Sequence, residues 1–138
     1  MLKQSSNKHP SLDHKNIILL EDQSTMDLFC NPRLVQDITK AAIKLTVQSN
    51  GGNMTATHKA TLCGYTPQVW YSTKAITNII GLSNLIHQYR VTYDSTEHKC
   101  VVHRDEQGKP NMEFKMHESG LHYYDPRDHG MTFVNAMS

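Results

Sequence analysis

A chain of 138 residues is long enough to bury the core of one domain and too short for the two lobes of a bilobal hydrolase. Its formal net charge of +1 is typical of a protein without a basic nucleic-acid-binding surface, so we expect no direct contact with nucleic acid. Three widely spaced cysteines and the absence of a membrane-length apolar run do not favour a disulfide scaffold or a membrane protein.

The predicted organisation is one domain between two polar ends. Residues 1–16 are rich in Lys, Ser, His and Asn and are predicted to be a flexible leader, and residues 126–138 form a polar tail. The domain between them spans residues 17–125. Because the leader has no apolar signal core, we expect a reducing, cytoplasmic setting.

The first element of the domain is a run of four aliphatic residues at 17–20, which predicts a short strand buried on both faces. The strand leads directly into two adjacent carboxylates, Glu21 and Asp22. Carboxylates cost free energy where water is scarce, so the strand either holds an acid at the floor of a cleft or ends in solvent at these residues. A polar turn follows, formed by Gln23, Ser24 and Thr25.

The next segments predict a second strand and a short helix. Residues 26–29 alternate between apolar and polar side chains, which is typical of a strand with one buried face. Asn31 before Pro32 is a helix-start signal, and the apolar face of this helix is predicted to reach Ile38.

A β-hairpin is predicted in the middle of the chain. An alternating strand at 43–47 and a threonine-rich return strand at 54–62 flank an Asn-Gly-Gly turn. Because both faces of the return strand look too polar for a deep core, the hairpin is predicted to project from the domain. The turn residues are Asn50, Gly51 and Gly52.

The second half of the chain predicts further short strands around one helix. Leu82, Leu85, Ile86 and Tyr89 recur at helical spacing, which predicts an amphipathic helix over 82–89. The fold class is therefore mainly β, with one or two short helices in a single lobe. The predicted strands are at 69–71, 75–81, 91–93, 100–103, 112–116 and 120–124.

The order of these elements resembles the retropepsin-like aspartic protease of retroelement polyproteins, the copia type in particular. In that family the first strand ends in a catalytic Asp before a Ser-Gly-Ala-Thr turn or a relative of it, and a later Asn-Ile-Ile-Gly-like element packs beneath the active site. The resemblance spans residues 17–125. Its four motifs are Leu-Leu-Glu-Asp-Gln-Ser-Thr at 19–25, Val-Trp-Tyr at 69–71, Asn-Ile-Ile-Gly at 78–81 and Gly-Leu-His-Tyr-Tyr at 120–124.

The resemblance implies a closed retropepsin-like barrel and an aspartic endopeptidase that cleaves its own Pol polyprotein in a cytoplasmic virus-like particle. A chain of this length supplies only one catalytic turn, at residues 21–25, which we call the acid turn. The resemblance therefore implies a homodimer, in which each chain contributes one acid turn. It implies no cofactor and no metal. The implied flap over the substrate is Asn50, Gly51 and Gly52, and the implied floor of the active site is Ile79, Ile80 and Gly81.

The acid turn departs from the family pattern at the catalytic position. Glu21 stands where the family has its catalytic Asp, and Asp22 stands where Ser, Thr or Asn is expected. Either Glu21 occupies the catalytic position with a longer side chain, or Asp22 is the acid, which requires a bulge in the strand or a rearranged turn. A catalytically inactive dimerisation or peptide-binding module and an unrelated β-rich domain are the alternative interpretations.

Other reactive side chains do not form a recognisable site in the sequence. Four histidines in the second half show no i, i+4 pair on a predicted helix, so no metal site is predicted. Cys63 and Cys100 are not placed at a helix N-terminus or a nucleophile elbow, and we expect them to be structural. The four histidines are His98, His103, His117 and His122.

Overall fold

The computed structural model describes residues 12–49 and 52–129. These residues form a mainly β structure, as predicted, in which ten strands hydrogen-bond into one sheet. In the same residues one α-helical turn, α1 (Leu82–Leu85), and three 3-10 turns (Pro32–Leu34, Asp105–Gln107 and Pro126–His129) connect the strands. The strands are β1 (Ile18–Glu21), β2 (Leu28–Phe29), β3 (Gln36–Ser49), β4 (Gly52–Thr61), β5 (Gln68–Tyr71), β6 (Asn78–Gly81), β7 (Arg90–Asp94), β8 (Lys99–His103), β9 (Met112–Met116) and β10 (His122–Tyr124).

Strand β1 lies in the middle of the sheet, between β6 and β10. Strand β6 runs parallel to β1, and β10 runs antiparallel to it. Ile18, Leu19 and Leu20 are all buried, because a strand covered on both faces needs apolar side chains in succession. The buried strand predicted at this place is confirmed.

Both halves of the sheet contribute to the larger of two buried hydrophobic clusters. Ala60 and Val69, on β4 and β5, belong to the same buried cluster as Val102 and Phe114, on β8 and β9. These strands lie far apart in the order β3-β4-β5-β2-β6-β1-β10-β9-β8-β7. The larger buried cluster therefore extends across most of the sheet, and a second, smaller cluster contains Leu28, Cys30, Ala56 and Ala75. Strands β3 and β7 are the edges of the sheet among the described residues.

Strands β3 and β4 form the predicted hairpin, with Ser49 paired to Gly52 at its described end. The prediction that the return strand stays out of the core is wrong, because Ala60 is fully buried and Leu62, just after β4, is 1% exposed. The sequence pattern did not indicate this apolar face, because its alanines lie among threonines and alanine adds little hydrophobicity. Alanine nevertheless lets neighbouring elements pack closely. The base of the hairpin is therefore part of the core.

The helix predicted after Asn31 is only a single 3-10 turn. The Asn31 Oδ1 atom accepts a hydrogen bond from Arg33 N at 2.9 Å, so the capping signal is confirmed. The turn ends at Leu34, however, and Ile38 lies in β3, because the chain joins the sheet and pairs with β4. Strands β2 and β6 are also shorter than predicted.

The helix predicted over 82–89 is also shorter than expected. Regular α-helix ends at Leu85, and turns continue to Tyr89, whose N donates to Leu85 O at 3.0 Å. Ile86 was predicted on the apolar face but is 53% exposed. The Tyr89 hydroxyl donates to Gly64 O at 2.8 Å, which fixes the end of this segment against the loop after β4.

Candidate active site at the end of the central strand

The two candidate catalytic acids lie where the central strand leaves the sheet. Glu21 is the last residue of β1 and pairs with Gly81, the last residue of the parallel strand β6. The register of this pair is unbroken from Ile18 to Glu21, so β1 has no bulge before the first acid. Glu21 is half-buried, and Asp22, the first residue of the turn, is exposed.

Glu21 and Asp22 line the same cavity, which has a volume of about 330 Å³. A cavity of about 420 Å³ beside the hairpin has no carboxylate in its lining. Another, of about 340 Å³, has four, which are Asp13, Glu118, Asp125 and Asp128. The other residues that line the acid cavity are Leu20, Leu82, Tyr93, Cys100, Gly120, Leu121 and His122.

The turn after the acids is held by its own hydrogen bonds. Ser24 Oγ accepts from Met26 N at 2.9 Å and donates to Met26 O at 3.2 Å. Serine often closes turns in this way, by bonding to the backbone two residues later. Gln23 and Thr25 are exposed, and Gln23 N donates a long bond of 3.5 Å to Glu21 Oε1.

The turn packs against the junction of β6 and α1. Ser83 Oγ donates to Ser24 O at 3.3 Å, and Asn84 Nδ2 donates to Thr25 O at 2.9 Å. A Cβ atom on Gly81 would lie only 2.7 Å from Ser24 O. The structure therefore brings Gly81 into direct contact with the turn, and this contact depends on the missing side chain.

The other two predicted floor residues lie deeper in the molecule. Ile80 is fully buried in the main core. Ile79 is half-buried and pairs with Leu19 on one side and Leu28 on the other. Neither isoleucine lines the acid cavity.

A buried carboxylate near the turn was missed by the sequence analysis. Asp27 is 5% exposed, and its Oδ1 atom accepts from Gly81 N at 2.7 Å and from Asn84 Nδ2 at 3.2 Å. Its Oδ2 atom accepts from the Tyr65 hydroxyl at 2.9 Å. Burial and the charge of Asp27 raise the pKa of Tyr65 above its usual range. The alternating pattern at 26–29 marked Asp27 only as the polar member of a strand.

Asn78, the first residue of the Asn-Ile-Ile-Gly motif, joins the chain segments on either side of the acid turn. It is fully buried, and its Oδ1 atom accepts from Cys30 N at 2.9 Å and Asn31 N at 3.1 Å. Its Nδ2 atom donates to Ile17 O at 2.9 Å and Lys15 O at 3.0 Å. The side chain therefore connects the start of β1 to the segment after β2.

Two other reactive groups border the acid cavity. The Nε2 atom of His122 is shielded from solvent and has no hydrogen-bond partner in the described part of the chain, and its ring meets Tyr93 edge-on at 5.9 Å between centroids. Burial and the negative charge of Asp22 raise the pKa of Cys100. A raised pKa keeps a thiol protonated, which disfavours Cys100 as a nucleophile.

Of the three predicted flap residues, only Gly52 falls within the described residues, where it is exposed at the start of β4. Asn50 and Gly51 lie outside them. The predicted leader and tail are described only in part, from residue 12 and up to residue 129. Across residues 12–49 and 52–129, no three or more His, Cys, Asp or Glu side chains are grouped to hold a metal ion.

Comparisons with protein-family models, curated proteins and solved structures gave no match to this chain. Within the described residues, no helix has the length and apolar character needed to cross a membrane. The functional assignment therefore depends on the acid turn, its cavity and the elements that hold them.

Proposed function

We propose that this chain is the retropepsin-like aspartic endopeptidase domain of a copia-type retrotransposon Pol polyprotein, acting on its own polyprotein in cytoplasmic virus-like particles. The observation that carries the proposal is the docking of the acid turn on Gly81, at the common end of two parallel strands. Both acids line one cavity there. One buried cluster shared by both halves of the sheet supports the one-lobed, retropepsin-like barrel that we propose as the fold.

In the proposed mechanism, two chains associate about a two-fold axis and each supplies one acid turn. Two carboxylates side by side share one proton, because both cannot ionise at so short a distance. The ionised carboxylate removes a proton from water as that water attacks the peptide carbonyl, and the protonated one stabilises the developing oxyanion. The hairpin around Gly52 closes over the polypeptide substrate and excludes water.

Two residues compete for the role of the catalytic acid. Glu21 keeps the position at the strand end, because the register of β1 with β6 is unbroken up to it. Asp22 has the side-chain length of the family's acid, but it stands one residue later, so its use requires the turn to rearrange. Separate substitutions at the two positions distinguish them.

The test is cleavage of a proteome-derived peptide library at acidic pH, read by mass spectrometry. Glu21→Gln and Asp22→Asn are compared with Glu106→Gln and Asp105→Asn, which make the same changes in the exposed turn between β8 and β9. We expect the wild type and both controls to cut the same peptides, and at least one site variant to be slower by about a hundredfold or more. A folded wild type that cuts nothing, or five equally active proteins, contradicts the proposal.

A catalytically inactive, peptide-binding or dimerising module is the second candidate, and Glu21 favours it. The extra methylene of Glu moves the carboxylate by about a bond length, and misplacement by about 1 Å can cost about a hundredfold in rate. A peptide-like aspartic protease inhibitor separates the candidates. Thermal stabilisation without cleavage supports the module, because a ligand that binds only the folded state raises its stability. Stabilisation with cleavage supports the enzyme.

A further inference from the structure

We infer that Asp27 is a positioning residue that fixes the acid turn and connects it to the base of the β3–β4 hairpin. The inference rests on the proposed function, because it gives Asp27 a part in holding the acids of the proposed protease. Asp27 is not among the residues that line the acid cavity. It therefore acts through its neighbours and not on a substrate.

The carboxylate of Asp27 binds three partners from two parts of the chain. Gly81 N and Asn84 Nδ2 donate to its Oδ1 atom, at 2.7 and 3.2 Å, and the Tyr65 hydroxyl donates to its Oδ2 atom at 2.9 Å. A buried carboxylate is costly unless hydrogen bonds stabilise it, and short bonds to an ionised acceptor are the strong ones. The bonds from Gly81 and Asn84 fix the β6–α1 junction against Asp27, and the bond from Tyr65 adds the loop after β4.

The same partners bind the acid turn. Asn84 Nδ2 donates to Thr25 O at 2.9 Å as well as to Asp27, and Gly81 is in contact with Ser24 O. Ser24 and Thr25 follow Asp22 by two and three residues in the sequence. A displacement at Asp27 therefore moves the carbonyl groups that anchor the turn, and with them the acids.

Tyr65 extends this network to the hairpin. It follows β4 closely, its N donates to Leu62 O at 2.9 Å, and its side chain is buried. Because β4 is one arm of the hairpin, the bond from Tyr65 to Asp27 joins the base of the proposed flap to the acid turn. Tyr89 provides a matched control for Tyr65. Its hydroxyl donates to Gly64 O, in the loop after β4 that also contains Tyr65, and not to Asp27.

The test measures NMR shifts and hydrogen exchange of the backbone amides at 22–26 and 81 in Asp27→Asn, Tyr65→Phe and the control Tyr89→Phe. We expect Asp27→Asn to speed exchange at Gly81 on the order of tenfold, because a neutral acceptor binds the amide less strongly. Tyr65→Phe shifts the turn amides by less, and Tyr89→Phe leaves them unchanged. An unchanged Gly81 amide in Asp27→Asn, or equal responses to the two Tyr variants, overturns the inference.

Cleavage kinetics distinguish a positioning role of Asp27 from a purely structural one, because a purely structural role would leave kcat unchanged. In a wild type that cleaves peptides, Asp27→Asn and Tyr65→Phe should lower kcat by about tenfold with little change in KM, while Tyr89→Phe alters neither. A lower melting temperature with unchanged kcat and unchanged turn amides overturns the inference. If Asp27→Asn does not fold, the comparison of Tyr65→Phe with Tyr89→Phe still tests the inference. A wild type that cleaves nothing contradicts the proposed function, and the NMR result alone then decides the role of Asp27.

Discussion

Gly81 and the carbonyl oxygen of Ser24 approach so closely that a Cβ atom on residue 81 would lie 2.7 Å from that oxygen. The backbone of Gly81 has φ −79° and ψ 130°, a conformation open to any residue, so the glycine is required by space and not by its dihedral angles. The oxygen cannot retreat easily, because Ser83 Oγ donates to it. The position of the acid turn therefore depends on this contact.

Gly81→Ala should lower the free energy of unfolding by about 2 kcal/mol, within the range for overpacking a close contact. Urea denaturation measures the change. Gly108→Ala is the control, because no atom lies within 4 Å of its Cβ position and only its φ of 72° opposes a side chain, which costs about 1 kcal/mol. If Gly81→Ala costs no more than this control, the close contact with the turn is not present in solution.

Asn78→Ala should destabilise the fold by about 3 kcal/mol or more, because it leaves buried backbone groups without partners. The amide of Asn78 binds Cys30 N, Asn31 N and Ile17 O, and no water replaces a fully buried side chain easily. Asn53→Ala, at an exposed position on β4, is expected to stay within about 0.5 kcal/mol of the wild type. Chemical denaturation of both variants checks the prediction, and equal costs would contradict it.

Arg127 provides a pH-dependent link between the first and last segments of the described residues. It donates to Asp13 Oδ2 and Asp125 Oδ2, both at 2.8 Å. The hydrogen bonds from Arg127 lower the pKa of Asp125, and those from Asn16 and then Arg127 lower the pKa of Asp13. Carboxylates with lowered pKa values stabilise the fold above their ordinary pKa of about 4, and this contribution is lost as the pH falls through the folded-state values.

Arg127→Gln should therefore reduce the free energy of unfolding near pH 7, and its difference from the wild type should shrink as the pH falls below about 4. Urea denaturation at a series of pH values measures this. Lys74→Gln removes a positive charge from an exposed turn and serves as the control. Its difference from the wild type in the free energy of unfolding should not shrink over the same pH range. A deficit of Arg127→Gln that grows on acidification would show that the link does not form.

Asp22→Asn should make the Cys100 thiol more reactive. The pKa of Cys100 is raised by burial and by the charge of Asp22, so removal of that charge increases the thiolate fraction. We expect alkylation of Cys100 by iodoacetamide at pH 8 to be about two- to threefold faster, as followed by peptide mass spectrometry. Asp105→Asn should leave the rate unchanged. Equal rates in the two variants would mean that Asp22 does not face the cavity beside Cys100.

The strands were predictable where the pattern along the chain decides the structure. An uninterrupted aliphatic run at 17–20 specified the central strand, and Asn-Gly-Gly between alternating segments specified the β3–β4 hairpin. The position of Tyr89 was not predictable from helical spacing, because its hydroxyl binds Gly64, which is remote in the sequence. The buried alanines of β4 were missed since their small side chains contribute a weak signal.

The residues that hold the acid turn in place could not be predicted from the sequence, for a similar reason. Asp27 is buried because Tyr65 and Gly81 donate to it, and these residues are 38 and 54 positions away in the chain. A single acidic residue in an alternating segment gives no sign of such partners. Glu21 and Asp22 stood out only as candidates, because two carboxylates directly after a buried strand are an unusual pattern.

The most direct test of the account is the dependence of peptide cleavage rate on chain concentration at acidic pH. If two chains each supply one acid turn, the rate should rise with the square of the concentration below the dimer dissociation constant and become linear above it. A rate that stays proportional to concentration down to the lowest measurable value, or a folded chain that cleaves no peptide, would contradict the account.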